Sequence, residues 1–143
     1  MQNSKIKKKI ITLIGPTACN KTSTAVHLIK KFPISIIGVD SVQIYKRFNI
    51  GSAKPPKEIL EKYKHHLVDS ADPENIFSVK DFYDQAYRIV MQAHSNNRIP
   101  LLVGGTMMYF NALFKGINDI PEANEAIREE LQRELDNLSL IHI

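Results

Sequence analysis

The stretch of sequence that decides the fold is Gly15-Pro16-Thr17-Ala18-Cys19-Asn20-Lys21-Thr22. It matches the phosphate-binding pattern G-x-x-x-x-G-K-[ST] at every defined position except one, because Asn20 stands where glycine is expected. Such a loop surrounds phosphate oxygens with backbone N–H groups at the start of a helix, and its lysine adds a positive charge. Asparagine tolerates positive φ better than most residues, so Asn20 is the least damaging replacement. The flanking segments argue against a chance match in a Gly-Pro turn.

Apolar runs alternate with helical patterns on both sides of this loop. A helix is predicted over Lys21–Lys31, with Ala25, Leu28 and Ile29 apolar. Continuous apolar runs predict buried strands at Lys9–Ile14, Ile34–Val39 and Ile99–Val103. Buried strands that alternate with helices indicate an α/β fold with a mainly parallel sheet covered on both faces.

The clearest helix is predicted over Ser78–Asn96. Ser78 can cap it, with Asp81 three residues later as a capping-box partner. One apolar stripe is formed by Val79, Phe82, Ala86, Val90 and Ala93.

Three further segments complete the pattern. A loop rich in Gly, Pro and Lys is predicted over Asn49–Lys57, and a helix over Thr106–Phe114. Pro121 opens a last helix, which carries on one face Ala123, Ile127, Leu131 and Leu135.

Glycine or polar residues stand at the end of each predicted strand. In open parallel sheets ligands bind beyond the carboxyl ends of the strands, so Gly15, Asp40 and Gly104-Gly105-Thr106 are expected at one crevice. From its position alone, Asp40 could be a general base, a Mg²⁺ partner or a helix cap. Paired glycines at Gly104-Gly105 allow close approach of backbone or ligand. A Walker-type ATPase usually has a metal-holding carboxylate at a strand end, and its absence after the third strand disfavours that class.

Composition is that of an ordinary soluble globular domain, with 43% hydrophobic and 24% charged residues. No apolar run reaches the roughly 18 residues of a membrane span. The single cysteine, Cys19, excludes a disulfide framework and a zinc cluster and fits a reducing, cytoplasmic setting. Residues 1–64 carry 13 Lys/Arg against 3 Asp/Glu, whereas residues 65–143 carry 6 against 12. The basic half either attracts a nucleic-acid backbone or is a solvated surface.

Several side chains that could bind a metal or a base, or react, could instead have an ordinary structural role. His65-His66 lacks a third metal ligand at suitable spacing, which favours structural or surface histidines. Tyr45, Tyr109 and Phe110 could stack on nucleobases or pack in the core. Cys19 is interpreted as a small filler of the loop and not as a nucleophile.

Four segments together resemble the tRNA dimethylallyltransferases, in order and at fitting distances over about residues 9–128. They are GPTACNKT, DSVQIYKRFNIGSAKP, HHLVD and RIPLLVGGTMMYFNAL, which begin at residues 15, 40, 65 and 98. The resemblance implies a P-loop-kinase-like parallel sheet flanked by helices. It also implies an activity, namely transfer of a dimethylallyl group from dimethylallyl diphosphate to the exocyclic N6 amine of the adenosine 3′-adjacent to the anticodon. The implied substrates are tRNAs that read codons beginning with U, and the implied enzyme is a cytoplasmic monomer that uses Mg²⁺ and has no membrane partner.

The resemblance also implies roles for individual residues. Residues 15–22 would hold the diphosphate, with Lys21 on the pyrophosphate and Thr22 near Mg²⁺. Asp40 would be the general base, and Thr106 would orient the reacting groups. Contacts to the tRNA anticodon stem-loop would come from Asp40, Ser41, Val42, Gln43, Thr106 and Arg128. Lys54 falls in a family motif and receives no role.

The chain departs from the family in length as well as at Asn20. Family members are much longer, so the sheet is expected to be truncated before its later strands. Residues 1–120 would be the P-loop core and residues 121–137 the start of a helical tRNA-binding insertion. Residues 138–143 resemble a translated sequencing-adapter end. The resulting expectation is an inactive, poorly soluble polypeptide, because an open sheet edge would be exposed.

Two other functions remain open at this level. A small P-loop nucleotide kinase would bind ATP and would carry a cluster of lid arginines, which the sequence does not show. A nucleic-acid-binding module with a relic phosphate loop would bind tRNA with steep salt dependence and ignore the diphosphate.

Overall fold

Strand β2 (Ile34–Val39) is the centre of the fold, because all six of its residues are buried. The structure, a computed structural model, describes residues 9–117 and 124–137. Within them, a fully parallel sheet has the strand order β1-β4-β2-β3. The other strands are β1 (Ile11–Ile14), β3 (His65–His66) and β4 (Ile99–Gly104). The helices are α1 (Lys21–Ile29), α2 (Lys57–Lys62), α3 (Val79–Ser95), α4 (Met107–Lys115) and α5 (Glu125–Asn137).

Each face of the sheet carries its own apolar core. Alternate side chains of a strand point to opposite faces, and β2 divides accordingly. Ile34 and Ile36 pack with Ala25 of α1 and Leu101 of β4. The opposite face packs against α3 and α4, and its buried cluster includes Ile37, Val39, Leu102, Phe82 and Phe110. The predicted two-sided α/β architecture is therefore confirmed.

Helix α3 forms as its sequence pattern predicts. The Ser78 hydroxyl accepts a hydrogen bond from the Asp81 backbone N–H at 3.1 Å, and the Asp81 carboxylate accepts one from the Ser78 N–H at 2.9 Å. This reciprocal pair satisfies two N–H groups that the first turn leaves without helical partners. The apolar stripe is buried at Phe82, Ala86, Val90 and Ala93.

The prediction that the first strand is buried is wrong. Ile11 is 41% exposed and Ile14 is 45% exposed, because β1 lies at one edge of the described sheet, where β4 is its single neighbour. An apolar run alone does not distinguish a central strand from an edge strand, since strand order is a property of the tertiary fold.

Other differences are smaller. The two short elements α2 and β3 were not predicted from the sequence. Helix α1 ends at Ile29 instead of Lys31, and β4 extends to Gly104. The predicted start of the last helix at Pro121, its Ala123 and the final segment 138–143 lie outside the described residues. In α5 the apolar Ile127, Leu131 and Leu135 are each more than half exposed. No helix in the described ranges has both the length and the apolar character to cross a membrane.

Candidate phosphate-binding site

The predicted phosphate loop connects β1 to α1, as its pattern requires. Asn20 has φ 60° and ψ 24°, in the left-handed region that glycine enters most readily. Ala18 has φ 65°. A Cβ atom added at Gly15 would lie 2.7 Å from the Cys19 sulfur, so the loop closes tightly on itself. Asparagine therefore takes the backbone conformation of the missing glycine.

Lys21 places its ammonium group over this loop. Its Nζ donates hydrogen bonds to the carbonyl oxygens of Gly15, at 2.8 Å, and Pro16, at 2.5 Å. The Cys19 Sγ lies 3.6 Å from the same nitrogen. No carboxylate within the described residues forms an ion pair with Lys21, so its positive charge is available to an anion held in the loop.

The strand ends meet where the sequence predicted. In the sheet, Gly104 is in register with both Ile14 of β1 and Val39 of β2. A Cβ atom at Gly104 would lie 2.0 Å from the Val39 carbonyl oxygen, and one at Gly105 would lie 3.2 Å from the Gly15 oxygen. The two glycines therefore allow the backbone after β4 to lie close to the backbones of Val39 and Gly15.

Asp40 follows β2 and faces the same cavity as the phosphate loop. Its Oδ1 accepts hydrogen bonds from the backbone N–H groups of Val42, at 2.9 Å, and Gln43, at 3.1 Å. In the described part of the chain its Oδ2 has no hydrogen-bond partner. One oxygen thus fixes the carboxylate, and the other remains available as a proton acceptor.

Thr106 joins the turn after β2 to the start of α4. Its Oγ1 accepts a hydrogen bond from the Ser41 backbone N–H at 3.1 Å, and the two hydroxyl oxygens lie 3.5 Å apart. The N–H groups of Gly105 and Thr106 each donate to the Val39 carbonyl at 3.2 Å. The structure therefore brings Thr106 against Ser41, the residue that follows Asp40.

Gln43 holds one wall of the cavity. Its side-chain Nε2 donates to the carbonyl oxygens of Ser52 and Ala53, both at 3.1 Å. Val42, by contrast, is 47% exposed beside it. The amide nitrogen of Gln43 is thus committed to internal contacts, and a partner molecule would meet its remaining oxygen.

The cavity between these groups has a volume of about 570 Å³. Eight of its lining residues were not among the predicted site residues: Ser23, Val26, His27, Lys30, Ser52, Ala53, Ile59 and Val103. His27 and Lys30 follow Ser23 at helical spacings of four and seven residues, so the three lie on the same side of α1, which Lys30 caps at its C-terminal end. That spacing is the signal that could have found them. Ile59 comes from α2, a helix for which the sequence shows no clear pattern.

Oxygen donors dominate the groups that could bind a metal in the cavity. The Thr22 hydroxyl and the Asp40 carboxylate both line it. The described residues contain no cluster of three or more His, Cys, Asp or Glu side chains suited to a metal ion. This donor set fits Mg²⁺, which takes few protein oxygens and completes its shell with water and ligand phosphates.

The aromatic candidates differ in how deeply they are buried. Tyr109 and Phe110 are 3% and 2% exposed, and Tyr109 stacks on Phe82 with ring centroids 4.2 Å apart. Both side chains therefore pack in the core and are not available to stack on nucleobases. Burial, followed by the nearby Tyr45 and Asp40, raises the pKa of the Tyr109 hydroxyl. Tyr45 is half-buried, and its hydroxyl accepts a hydrogen bond from the Phe77 N–H at 3.0 Å.

The two adjacent histidines lie in β3. The His65 Nδ1 is 2.6 Å from the Tyr63 carbonyl oxygen, and its buried Nε2 has no partner among the described residues. Burial lowers the pKa of both histidines, and positive charge on Lys64 and Arg98 lowers that of His66 further. Neither histidine lines the cavity.

The described cavity lining does not include six of the predicted site residues, namely Gly15, Pro16, Ser41, Val42, Thr106 and Arg128. The first five are each within two positions of a lining residue in the chain, whereas Arg128 is distant from all of them in sequence. It lies on α5, whose side chains from 125 to 136 are all exposed. Its backbone N–H donates to the Asn124 carbonyl at 3.1 Å, which starts the helix.

Known proteins share both the sequence and the fold of this chain. It is 44% identical to a tRNA dimethylallyltransferase of Dichelobacter nodosus over 131 residues, which are 92% of this chain and 41% of the relative. It is 46% identical to one from Legionella pneumophila over 129 residues, or 90% and 41% of the two chains. The chain thus spans about two-fifths of the length of these relatives.

Two solved structures have the same fold. One is the full-length tRNA isopentenylpyrophosphate transferase of Bacillus halodurans, with a TM-score of 0.74 and 39% identity, matching 93% of this chain and 44% of that one. The other is a eukaryotic dimethylallyltransferase acting on tRNA, with a TM-score of 0.77 and 27% identity, matching 88% of this chain and 32% of that one.

A family model described as IPP transferase matches residues 43–142. Because that match extends over more than half of the sequence, the chain belongs to the IPP transferase family.

Proposed function

We propose that this protein contributes the phosphate loop and the general base of a tRNA dimethylallyltransferase. The reaction transfers a dimethylallyl group from dimethylallyl diphosphate to the N6 amine of the adenosine 3′-adjacent to the anticodon, in tRNAs reading codons that begin with U. One observation carries the proposal. A phosphate loop and a carboxylate with one free oxygen line the same cavity, in a chain whose relatives are named for this activity.

The diphosphate end of the substrate fits the loop at residues 15–22. The backbone N–H groups at the start of α1 favour an anion, and Lys21 can turn from the Gly15 and Pro16 carbonyls toward the pyrophosphate. Thr22, with ligand phosphates and water, would hold Mg²⁺, which would neutralise charge on the leaving group. These groups lower the free energy of the transition state, because negative charge accumulates on the pyrophosphate as it departs.

Asp40 is positioned to accept the proton. The adenine amine is a weak nucleophile because its lone pair is delocalised into the ring. As the bond between N6 and the dimethylallyl C1 forms, the C1–O bond to pyrophosphate breaks, and one N6 proton passes to Asp40 Oδ2. The hydrogen bonds from Val42 and Gln43 fix the other oxygen, so the carboxylate need not reorganise during the step.

The RNA partner is an anticodon stem-loop whose target base leaves its stack to reach the cavity. We place its contacts at Asp40, Ser41, Val42, Gln43 and Thr106, with Arg128 on α5 as a further contact. The excess of Lys and Arg in residues 1–64 supports this, since positive charge attracts an RNA backbone. A cytoplasmic monomer, with residues 1–120 as the P-loop core and α5 at the start of an RNA-binding insertion, completes the proposal.

The direct test is prenyl transfer to an anticodon stem-loop RNA, measured in a chain extended to the length of its relatives. Asp40→Asn retains an oxygen that can accept from Val42 and Gln43 but removes the carboxylate, so we expect a rate loss of about 10²- to 10⁴-fold. Asp84→Asn, the same change on α3, is the matched control and should leave the rate unchanged. Full activity of Asp40→Asn would refute the base assignment.

A nucleotide kinase is the second candidate, because the loop at residues 15–22 would also accept ATP. It predicts phosphoryl transfer from ATP to a nucleotide and no reaction with dimethylallyl diphosphate. Competition between the two ligands for the purified chain, followed by product analysis, separates the two functions.

A further inference from the structure

Lys54 is a buried lysine whose ammonium group is fully hydrogen-bonded. Its side chain is 4% exposed. Its Nζ donates to the Tyr45 carbonyl at 2.8 Å, to Asn49 Oδ1 at 3.2 Å and to Asp69 Oδ1 at 2.8 Å. An ammonium group has three N–H donors, so all of them are used. Burial of a charge is costly unless it is paired and hydrogen-bonded, and this arrangement meets both conditions.

These acceptors come from two different loops, so Lys54 joins them. Tyr45 and Asn49 follow the Asp40 turn, whereas Asp69 follows β3. The Asp69 backbone N–H also donates to the Gln43 carbonyl at 3.0 Å. Ala53 and Asp69 have φ values of 52° and 55°, which residues other than glycine adopt only where surrounding contacts hold them. The Lys54–Asp69 ion pair joins these two left-handed turns directly. It acts beside backbone hydrogen bonds that the segment after β3 makes with residues 43–46.

Lys54 is connected to Asp40 in the cavity through two intermediate residues, Ala53 and Gln43. Ala53 precedes Lys54 in the chain, and with Ser52 it lines the cavity wall. The Gln43 side chain donates to both of their carbonyl oxygens, while the Gln43 backbone N–H donates to Asp40 Oδ1. Displacement of Lys54 would therefore loosen Ala53 and the Gln43 side chain, and through the Gln43 backbone it would weaken one of the two hydrogen bonds that fix the carboxylate. None of the Lys54 contacts involves the phosphate loop.

We propose that Lys54 is a positioning residue, which holds the Gln43–Ser52–Ala53 wall in the geometry that receives the target adenosine. The inference rests on the proposed function for the identity of that ligand. It assigns Lys54 to the RNA side of the cavity, so its loss should weaken recognition of RNA and leave pyrophosphate binding intact. A residue that merely stabilised the fold would affect both.

The test compares Lys54→Met with Lys57→Met in a chain extended to the length of its relatives. Lys57 is the matched control, because its side chain is 85% exposed and its ion pair with Glu61 is long, at 3.7 Å. In Lys54→Met we expect amide hydrogen exchange to accelerate at least tenfold over residues 43–55 and to stay unchanged over residues 15–24. Affinity for an anticodon stem-loop RNA should fall about tenfold or more, since small displacements of positioning groups have large effects. Affinity for inorganic pyrophosphate with Mg²⁺ should stay within twofold.

Asp69→Asn provides a second variant in case Lys54→Met does not fold, which circular dichroism will show. It removes the ion pair but keeps an amide oxygen, so it should shift exchange and RNA affinity in the same direction by a smaller factor. Unchanged exchange over residues 43–55 in both variants would overturn the proposal, as would equal acceleration throughout the chain. The exchange readout requires no catalysis. Prenyl transfer that fails with unmutated protein would therefore count against the proposed function alone.

Discussion

The Thr106 Oγ1 accepts a hydrogen bond from the Ser41 backbone N–H at 3.1 Å. This bond links the end of β4 to the end of β2 across 65 positions of sequence. It places a hydroxyl group beside the turn in which Asp40 is fixed. The strand ends are therefore held together by a side chain as well as by the sheet itself.

Replacement of Thr106 by valine tests this link. Thr106→Val keeps the shape of the side chain but leaves the Ser41 N–H without its acceptor, so we expect the prenyl-transfer rate to fall about tenfold or more as the Asp40 turn shifts. The rate is measured with an anticodon stem-loop in a chain extended to the length of its relatives. Thr106→Ser retains the hydroxyl group and should preserve most of the activity. Equal rates for the valine and serine variants would contradict a role for the bond.

The left-handed backbone at Asn20 leads to a second prediction. Asn20→Gly should keep pyrophosphate binding and change the free energy of unfolding by no more than about 1 kcal/mol, because glycine adopts this conformation freely but loses more entropy on folding. Asn20→Val should weaken pyrophosphate binding and lower the free energy of unfolding by about 1–2 kcal/mol, since a β-branched residue is strained at positive φ. Calorimetric titration with Mg²⁺-pyrophosphate and denaturant unfolding provide both measurements. Stronger binding by the valine variant would show that the loop does not require this conformation.

The paired glycines should separate stability from ligand binding. In Gly104→Ala the new methyl carbon would lie 2.0 Å from the Val39 carbonyl oxygen, a backbone atom that cannot rotate away. We expect it to destabilise the protein by about 3 kcal/mol or more, at the upper end of the range for overpacking.

Gly105→Ala is the matched comparison. Its methyl carbon would lie 3.2 Å from the Gly15 oxygen, so a shift of a few tenths of an ångström relieves it. Its effect should therefore appear mainly in pyrophosphate affinity, through the phosphate loop. Denaturant unfolding and calorimetry on both variants distinguish the two effects. Similar stability of the two variants would mean that β4 can move away from β2.

Protonation of the β3 histidines should make stability depend on pH. Burial lowers the folded-state pKa of His65 and His66 below 6.5, so the neutral form is favoured in the native state. The unfolded chain then binds protons more readily, and stability is lost as the pH falls from about 7 through 6.5 toward the folded-state pKa values. Thermal unfolding midpoints at pH 7.5 and pH 5.5 should show this loss.

Two variants identify the source of the pH effect. His66→Gln should reduce the difference between the two midpoints. His65→Asn should do the same while keeping an amide donor for the Tyr63 carbonyl. Hydrogen bonds to Ser78 lower the pKa of the Asp81 carboxylate, so the stability that it contributes is present at both of these pH values and is lost only as the pH falls below about 4. A pH difference that persists unchanged when both histidines are replaced would have another origin.

Local chemistry by itself determined much of this protein. The loop pattern at residues 15–22 predicted the strand, turn and helix around it, because few sequences combine tight backbone curvature with a lysine at a helix start. The capping pair Ser78 and Asp81 predicted the start of α3 for a similar reason, since its hydrogen bonds span only three residues. Residues 34–39 likewise form the buried strand that their apolar run predicted.

Only the tertiary structure decided which strand lies at the edge, what holds the cavity wall, and which aromatic side chains are buried. Strand order depends on pairings between distant segments, so the exposure of Ile11 and Ile14 has no local signal. Lys54 shows the same limit, because its carboxylate partner, Asp69, lies 15 residues away in another loop. A charged side chain in a turn normally indicates solvent exposure, and only the arrangement of three acceptors around its ammonium group makes burial favourable.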